Sequence, residues 1–179
     1  MKLLVQAVLG VALAFAAPAF AVTPVPATPG AVPAAAHVKA VQDLLGVMHT
    51  EYVLRGVAGR TRFPSEAQRK AVFARLDKMP PAQVYQRMAP PLARVISLDT
   101  ALEMTRFYNT PYGKQVIHNK FNSGPQVMLP GARSGVAPEE KKERKRTAYV
   151  VASKELADAE PAVQSEAFKL LQAISKEAR

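Results

Sequence analysis

Prolines at 81, 111, 138 and 161 each stand at the head of a stretch that reads as a helix. That punctuation leaves few folds open. Proline suits the first turn, where its missing N–H loses no partner, and between these marks apolar residues return every three or four positions, along one helical face. No run alternates with period two over enough residues to suggest a sheet. The expected fold class is all-α, a compact bundle of about five or six helices.

Val38, Val41, Leu45, Met48 and Tyr52 mark the first rod, which Gly56 and Gly59 are expected to end. Ser65 with Gln68 three residues on is a capping-box pattern that opens the next. Pro80 stops that helix and Pro81 begins another, carrying Val84, Tyr85 and Met88. Pro90-Pro91 is expected to break or kink it before it resumes with Leu92, Val95 and Ile96. Ser97 reads as an N-cap, with Asp99 near the positive end of the helix dipole. Residues 122–138 hold three glycines and three prolines and read as a loop. Pro138-Glu139-Glu140 starts the following helix. Pro161 is expected to start the last, with Val163, Ala167, Leu171 and Ile174 on one face.

The N-terminus speaks to destination. Lys2 precedes an apolar run from Leu3 to Ala17, and Ala19-Phe20-Ala21 supplies small residues at the two positions a signal peptidase reads. Residues 1–21 are therefore expected to be a signal peptide, cleaved after Ala21, with export to the periplasm and no transmembrane anchor. Residues 22–36, rich in Pro and Ala, read as a flexible leader, and 37–179 as a single helical domain. The chain has no cysteine, which excludes disulfide staples and attachment of lipid through cysteine. Its formal charge is +10, and loss of Lys2 with the signal leaves +9. Residues 55–133 carry 13 basic side chains against 4 acidic ones, so the whole excess sits there. Such a balance bears on partners rather than on fold. The expected partner is an anionic envelope component or an acidic protein, and export argues against nucleic acid.

Phe107-Tyr108-Asn109-Thr110-Pro111-Tyr112-Gly113-Lys114 reads first as geometry. Asn109 tolerates the left-handed conformation that closes a helix, Thr110 is a competent N-cap, and Pro111 opens the next helix. Gly113 lets another backbone come close, while Phe107 or Tyr108 packs back onto Val116 or Ile117. The same octet resembles the Phe-Tyr-x-Ser/Thr-Pro-x-Gly-Lys signature of the family catalogued as domain of unknown function 2059, and the likeness is best from about Ala82 to Phe121. The resemblance implies an exported, helical protein of Gram-negative bacteria, and it supplies no catalytic residue. An alternative reading has Tyr108, Tyr112 and His118 converging on the site of an envelope hydrolase. Another makes the chain a structural subunit of a homo-oligomer.

Other constellations are weaker. The three histidines are His37, His49 and His118. His49-x-Glu51 on a continuous helix puts the two side chains on different sides, so neither a metal site nor another cofactor is expected. No Gly-x-Ser-x-Gly elbow appears. Asp99 and Glu103 share a helix face, but the dipole and a Glu103–Arg106 pair account for them. In Glu139–Arg146 the pairs Glu140–Arg144, Glu139–Lys142 and Glu143–Arg146 lie at helical spacing. The better anion-binding set is Arg55, Arg60, Arg62, Arg69, Lys70 and Arg75, because a planar guanidinium matches phosphate and carboxylate groups. Together these point to a non-enzymatic binding role at the cell envelope.

Overall fold

The computed structural model describes residues 33–122 and 137–177. The expected signal peptide, most of the expected leader and the expected loop after Asn122 lie outside them. The described residues hold eight helices and no strand: α1 (Ala35–Val47), α2 (Thr50–Arg60), α3 (Glu66–Lys78), α4 (Pro81–Leu92), α5 (Leu98–Asn109), α6 (Pro111–Asn122), α7 (Pro138–Glu143) and α8 (Thr147–Glu177). The all-α class is as expected. The higher count arises because the first rod is cut in two; the expected helix at Pro138 is short, and the last begins at Thr147 rather than Pro161.

The cut falls at His49. It is the one non-glycine residue among those described with a left-handed backbone, at φ 52° and ψ 50°. Thr50 holds the joint from inside, its buried hydroxyl donating to the Leu45 carbonyl at 3.0 Å. The one-residue step re-aims the apolar stripe. Ahead of it Val41, Leu44, Leu45 and Met48 are buried; beyond it Val53, Leu54, Val57 and Ala58 are. A continuous helix would have buried Tyr52, which is instead 49% exposed. Gly56 and Gly59 lie inside α2 rather than ending the rod.

At the other end the expected break is missing. α8 runs 31 residues, about 46 Å, straight through Pro161. Proline at that position removes the bond to the carbonyl of Ala157, but both residues face solvent, so water can satisfy that group. The seam Ala152, Leu156, Ala159, Val163, Ala167, Leu170, Leu171 and Ile174 continues unbroken across it. Burial of that seam outweighs the local penalty. Pro90 and Pro91 act differently. They sit in the last turn of α4, which ends at Leu92 and does not resume; Ala93 to Val95 form turns that deliver Ile96 to the core, and Val95 is 49% exposed.

α8 is the spine of the bundle, packed against α2, α3, α4 and α5, while α1 packs on α4 and α5, and α6 on α5. The ends are fastened by charge. Glu155 of α8 accepts from the Ser97 backbone N–H (2.6 Å), the Ser97 hydroxyl (2.9 Å) and the Thr100 hydroxyl (2.8 Å), capping α5 from outside. Ser97 itself accepts from Thr100 N–H, and Ser65 from Gln68 N–H, as the cap patterns predict. His37 Nε2 lies 2.7 Å from the Ile96 carbonyl, tying α1 to the α4–α5 connection.

The α5–α6 corner is built as its residues imply, with one difference. Thr110 is extended, and its hydroxyl donates to the Phe107 carbonyl (2.7 Å) while accepting from Gly113 N–H (3.0 Å). Asn109 is not left-handed. It ends α5 as helix, its side chain donating to the Thr105 carbonyl at 3.0 Å. Gly113 is where the two helices meet: a Cβ there would lie 2.1 Å from the Phe107 carbonyl oxygen and 2.7 Å from Tyr108 Cα. Only glycine fits. Phe107 packs on Tyr149 of α8, ring centroids 4.8 Å apart, as well as facing Tyr112 at 6.2 Å.

Candidate functional site

The six basic residues singled out in the sequence lie on α2, the α2–α3 connection and α3, and all are exposed. Three are held by acids. Arg55 stands 2.8 Å from Asp77, joining α2 to α3. Arg69 reaches Glu66 at 3.2 Å and lies 5.6 Å over the Phe73 ring. Arg75 donates to the Glu177 carboxylate at 3.0 Å and to the Glu177 carbonyl at 3.1 Å, with Arg87 on the other carboxylate oxygen at 3.1 Å. Cations at a helix C-terminus offset the dipole, so Arg75 has a structural task. Arg60, Arg62 and Lys70 have no acid within 4.0 Å among the described residues.

Arg62 borders a sizeable cleft. A groove of about 380 Å³ separates the α2–α3 connection from the last turns of α8. Phe63, Phe168 and Leu171 form its apolar wall, and Arg62 and Lys176 its basic rim. Gln68 of α3 donates to Ser175 of α8 at 3.1 Å within it. Among the described residues no acidic side chain lines it. Phe168 stays 44% exposed there, an apolar ring on an otherwise polar helix face. Apolar wall, paired cations and no competing acid suit an anion that carries an apolar body.

The convergence of Tyr108, Tyr112 and His118 that the alternative reading requires does not occur. Tyr108, Tyr112 and Tyr149 border a cleft of about 250 Å³ floored by Met48, Met104 and Leu156. Tyr112 donates to Glu140 at 3.0 Å, and burial pushes the Tyr108 phenol up to about 12. His118 opens instead onto a separate cleft of about 240 Å³, with His49, Tyr52, Lys114 and Phe121. The six-residue step from Tyr112 to His118 rotates them onto different faces of α6. No group of three or more metal-ligating side chains occurs among the described residues.

His49 and Glu51 do meet, contrary to the expectation from a continuous helix. Because His49 sits in the left-handed joint ahead of α2, its Nδ1 comes within 3.1 Å of Glu51. The other Glu51 oxygen accepts from the Tyr85 hydroxyl of α4 at 2.5 Å. Burial, followed by that bond, pushes the Tyr85 phenol well above its ordinary range.

Where α7 meets α8, the charged run takes an architectural role. α7 ends at Glu143, and Arg144 to Arg146 form the turn into α8. Arg106 of α5 bridges Glu103 (2.8 Å) and Glu143 (2.6 Å); Arg146 bridges the same two at 2.7 and 3.0 Å. Hydrogen bonds from Arg106 above all hold both carboxyls below the usual carboxylate range. Glu140 pairs with Arg144 as its spacing predicts, whereas Glu139 and Lys142 do not pair. Beside this quartet a groove of about 600 Å³ leaves Leu102 and Val151 exposed between α5 and α8.

Sequence reasoning missed Glu155, Glu177 and the His49 joint. The first two act on partners 55 to 102 residues away, which no local pattern encodes. No family model matches the chain, and neither a curated protein nor a solved structure does.

Proposed function

We propose that this is an exported, non-enzymatic helical protein that binds an anionic component of the cell envelope, with the groove between the α2–α3 connection and the end of α8 as its point of contact. The carrying observation is that Arg62 and Lys176 rim an apolar groove to which no acid among the described residues contributes. Arg60 and Lys70, also without acid partners among the described residues, add to the positive field of that half of the chain. An amphiphile fits this arrangement: its acyl chain against Phe63 and Phe168, its headgroup against the two cations. The resemblance of residues 107–114 to domain of unknown function 2059 and the signal-like N-terminus support export to the periplasm. Among the described residues no helix is long and apolar enough to cross a membrane.

The test is flotation of the processed chain with vesicles of phosphatidylglycerol and of phosphatidylcholine. Binding to the anionic vesicles alone, falling as salt rises from 0.05 to about 0.5 M, is the expected result, because exposed charges are screened over about 10 Å at 0.1 M. Equal binding to both vesicles, or indifference to salt, contradicts the proposal. The oligomer reading draws its support from the exposed Leu102 and Val151, and the mass in solution decides it.

A further inference from the structure

The cleft between the α1–α2 joint and α6 shares no lining residue with that groove. Its wall is an aromatic series: His49 lies 5.7 Å from Tyr52, and Tyr52 lies 5.2 Å from Phe121, measured between ring centroids. The helix that carries Phe121, α6, also presents Lys114 and His118 to the cleft. Among the described residues Lys114 has no acid partner and no acidic side chain lines the cleft. Glu51 stands behind His49 with its side chain 15% exposed, and its two oxygens meet His49 and Tyr85.

Two features set His49 apart from an ordinary surface histidine. Its backbone is left-handed, a conformation that glycine or asparagine adopts more readily than a bulky side chain. Yet an imidazole stands there, and it is oriented. With Glu51 at 3.1 Å from Nδ1, the N–H belongs on Nδ1, which leaves Nε2 on the side away from the carboxylate. Glu51 is fixed in turn by the Tyr85 hydroxyl from a third helix. A histidine oriented by a partly buried acid, half exposed on a cleft that also holds a lysine and a second histidine, is the arrangement of a binding group rather than of a solvated one.

We propose that this cleft binds a small anion, a phosphate or carboxylate carried on a flat apolar body, with Lys114, His118 and His49 around the charge and Tyr52 and Phe121 against the body. The volume of about 240 Å³ admits a single aromatic ring with one such substituent. Lys114 supplies a permanent positive charge and His118 an N–H donor, while His49, whose Nδ1–H faces Glu51, donates to the anion from Nε2 only as the imidazolium. The aromatic wall makes the apolar body part of what is recognised.

Titration calorimetry of the processed chain with phenyl phosphate, benzoate, inorganic phosphate and phenol tests this. Phenyl phosphate and benzoate are expected to bind, inorganic phosphate at least tenfold more weakly than phenyl phosphate, and phenol not at all. His49→Asn, which suits the left-handed backbone, and Lys114→Gln, at an exposed position, are each expected to weaken phenyl phosphate at least fivefold with an unchanged melting temperature. Arg62→Gln is expected to leave it unchanged, which separates this cleft from the basic groove. No heat with either aromatic anion overturns the proposal. So does an affinity that survives His49→Asn and Lys114→Gln, equal binding of inorganic phosphate, or a loss confined to Arg62→Gln.

Discussion

Replacing Gly113 by alanine puts the corner between α5 and α6 to a severe test. The added methyl would stand 2.1 Å from the Phe107 carbonyl oxygen, 2.8 Å from its carbon and 2.7 Å from Tyr108 Cα. All three are backbone atoms, so no rotamer change relieves the overlap. Carbon atoms settle at about 3.5–4.0 Å from a non-bonded neighbour, so α6 must withdraw by more than about 1 Å. That movement breaks the Thr110 bridge, in which one hydroxyl accepts from Gly113 N–H at 3.0 Å and donates to the Phe107 carbonyl at 2.7 Å. Two such bonds contribute about 1 kcal/mol each, and the overpacking itself costs about 1–3 kcal/mol. Against this, alanine is favoured over glycine within a helix by about 1 kcal/mol. The expected net loss is about 2–4 kcal/mol, or a fall in melting temperature of about 6–12 °C for a domain of this size. Gly59→Ala is the matched control, since a Cβ there meets nothing within 4 Å. It is expected to stabilise by about 0.5–1 kcal/mol. Urea denaturation of the two variants beside the parent gives both values. A Gly113→Ala protein as stable as the parent would refute the packing argument.

Other perturbations have equally definite expectations. Pro161→Ala restores an N–H for the Ala157 carbonyl at an exposed site of α8, and is expected to stabilise by about 1–3 kcal/mol in urea; a loss would mean that the proline shapes the helix. Thr105 Oγ1 is buried with no hydrogen-bond partner among the described residues, so Thr105→Val is expected to gain about 1 kcal/mol in the same assay. Glu103→Gln tests the quartet through pH. Because the folded carboxyl titrates below its unfolded value, its stabilisation is present in full above about pH 4.3 and is lost as pH falls through the lowered folded value. Melting curves are therefore expected to separate parent from variant at pH 6 and to converge by about pH 2; a gap constant with pH contradicts this.

What the sequence made legible was local. Ser65, Ser97 and the Thr110-Pro111-x-Gly113 corner work at a reach of three residues, and the structure forms each of them. The pairs Glu103–Arg106, Glu140–Arg144 and Glu143–Arg146 succeed for the same reason. Long-range burial set the rest. Pro161 reads as a start, yet Leu156, Ala159 and Val163 form one seam whose burial needs an unbroken helix. His49 reads as mid-helix, yet a continuous rod cannot aim both Leu45 and Leu54 at the core. The basic set suffered likewise: Asp77 and Glu177 claim Arg55 and Arg75 through tertiary contacts, which leaves Arg62 to border the groove with a lysine 114 residues away.

That distinction between claimed and unclaimed cations is what the proposed function rests on, and one comparison reaches it directly. Two double variants remove the same charge from the same half of the molecule: Arg62→Gln with Lys176→Gln at the groove, and Arg55→Gln with Arg69→Gln at the acid-paired positions. Both are floated with phosphatidylglycerol vesicles at low salt beside the parent. The account predicts that the groove variant falls to the level seen on phosphatidylcholine while the other stays near the parent. Equal losses in the two variants would show that overall charge, and no particular groove, holds the protein to the surface.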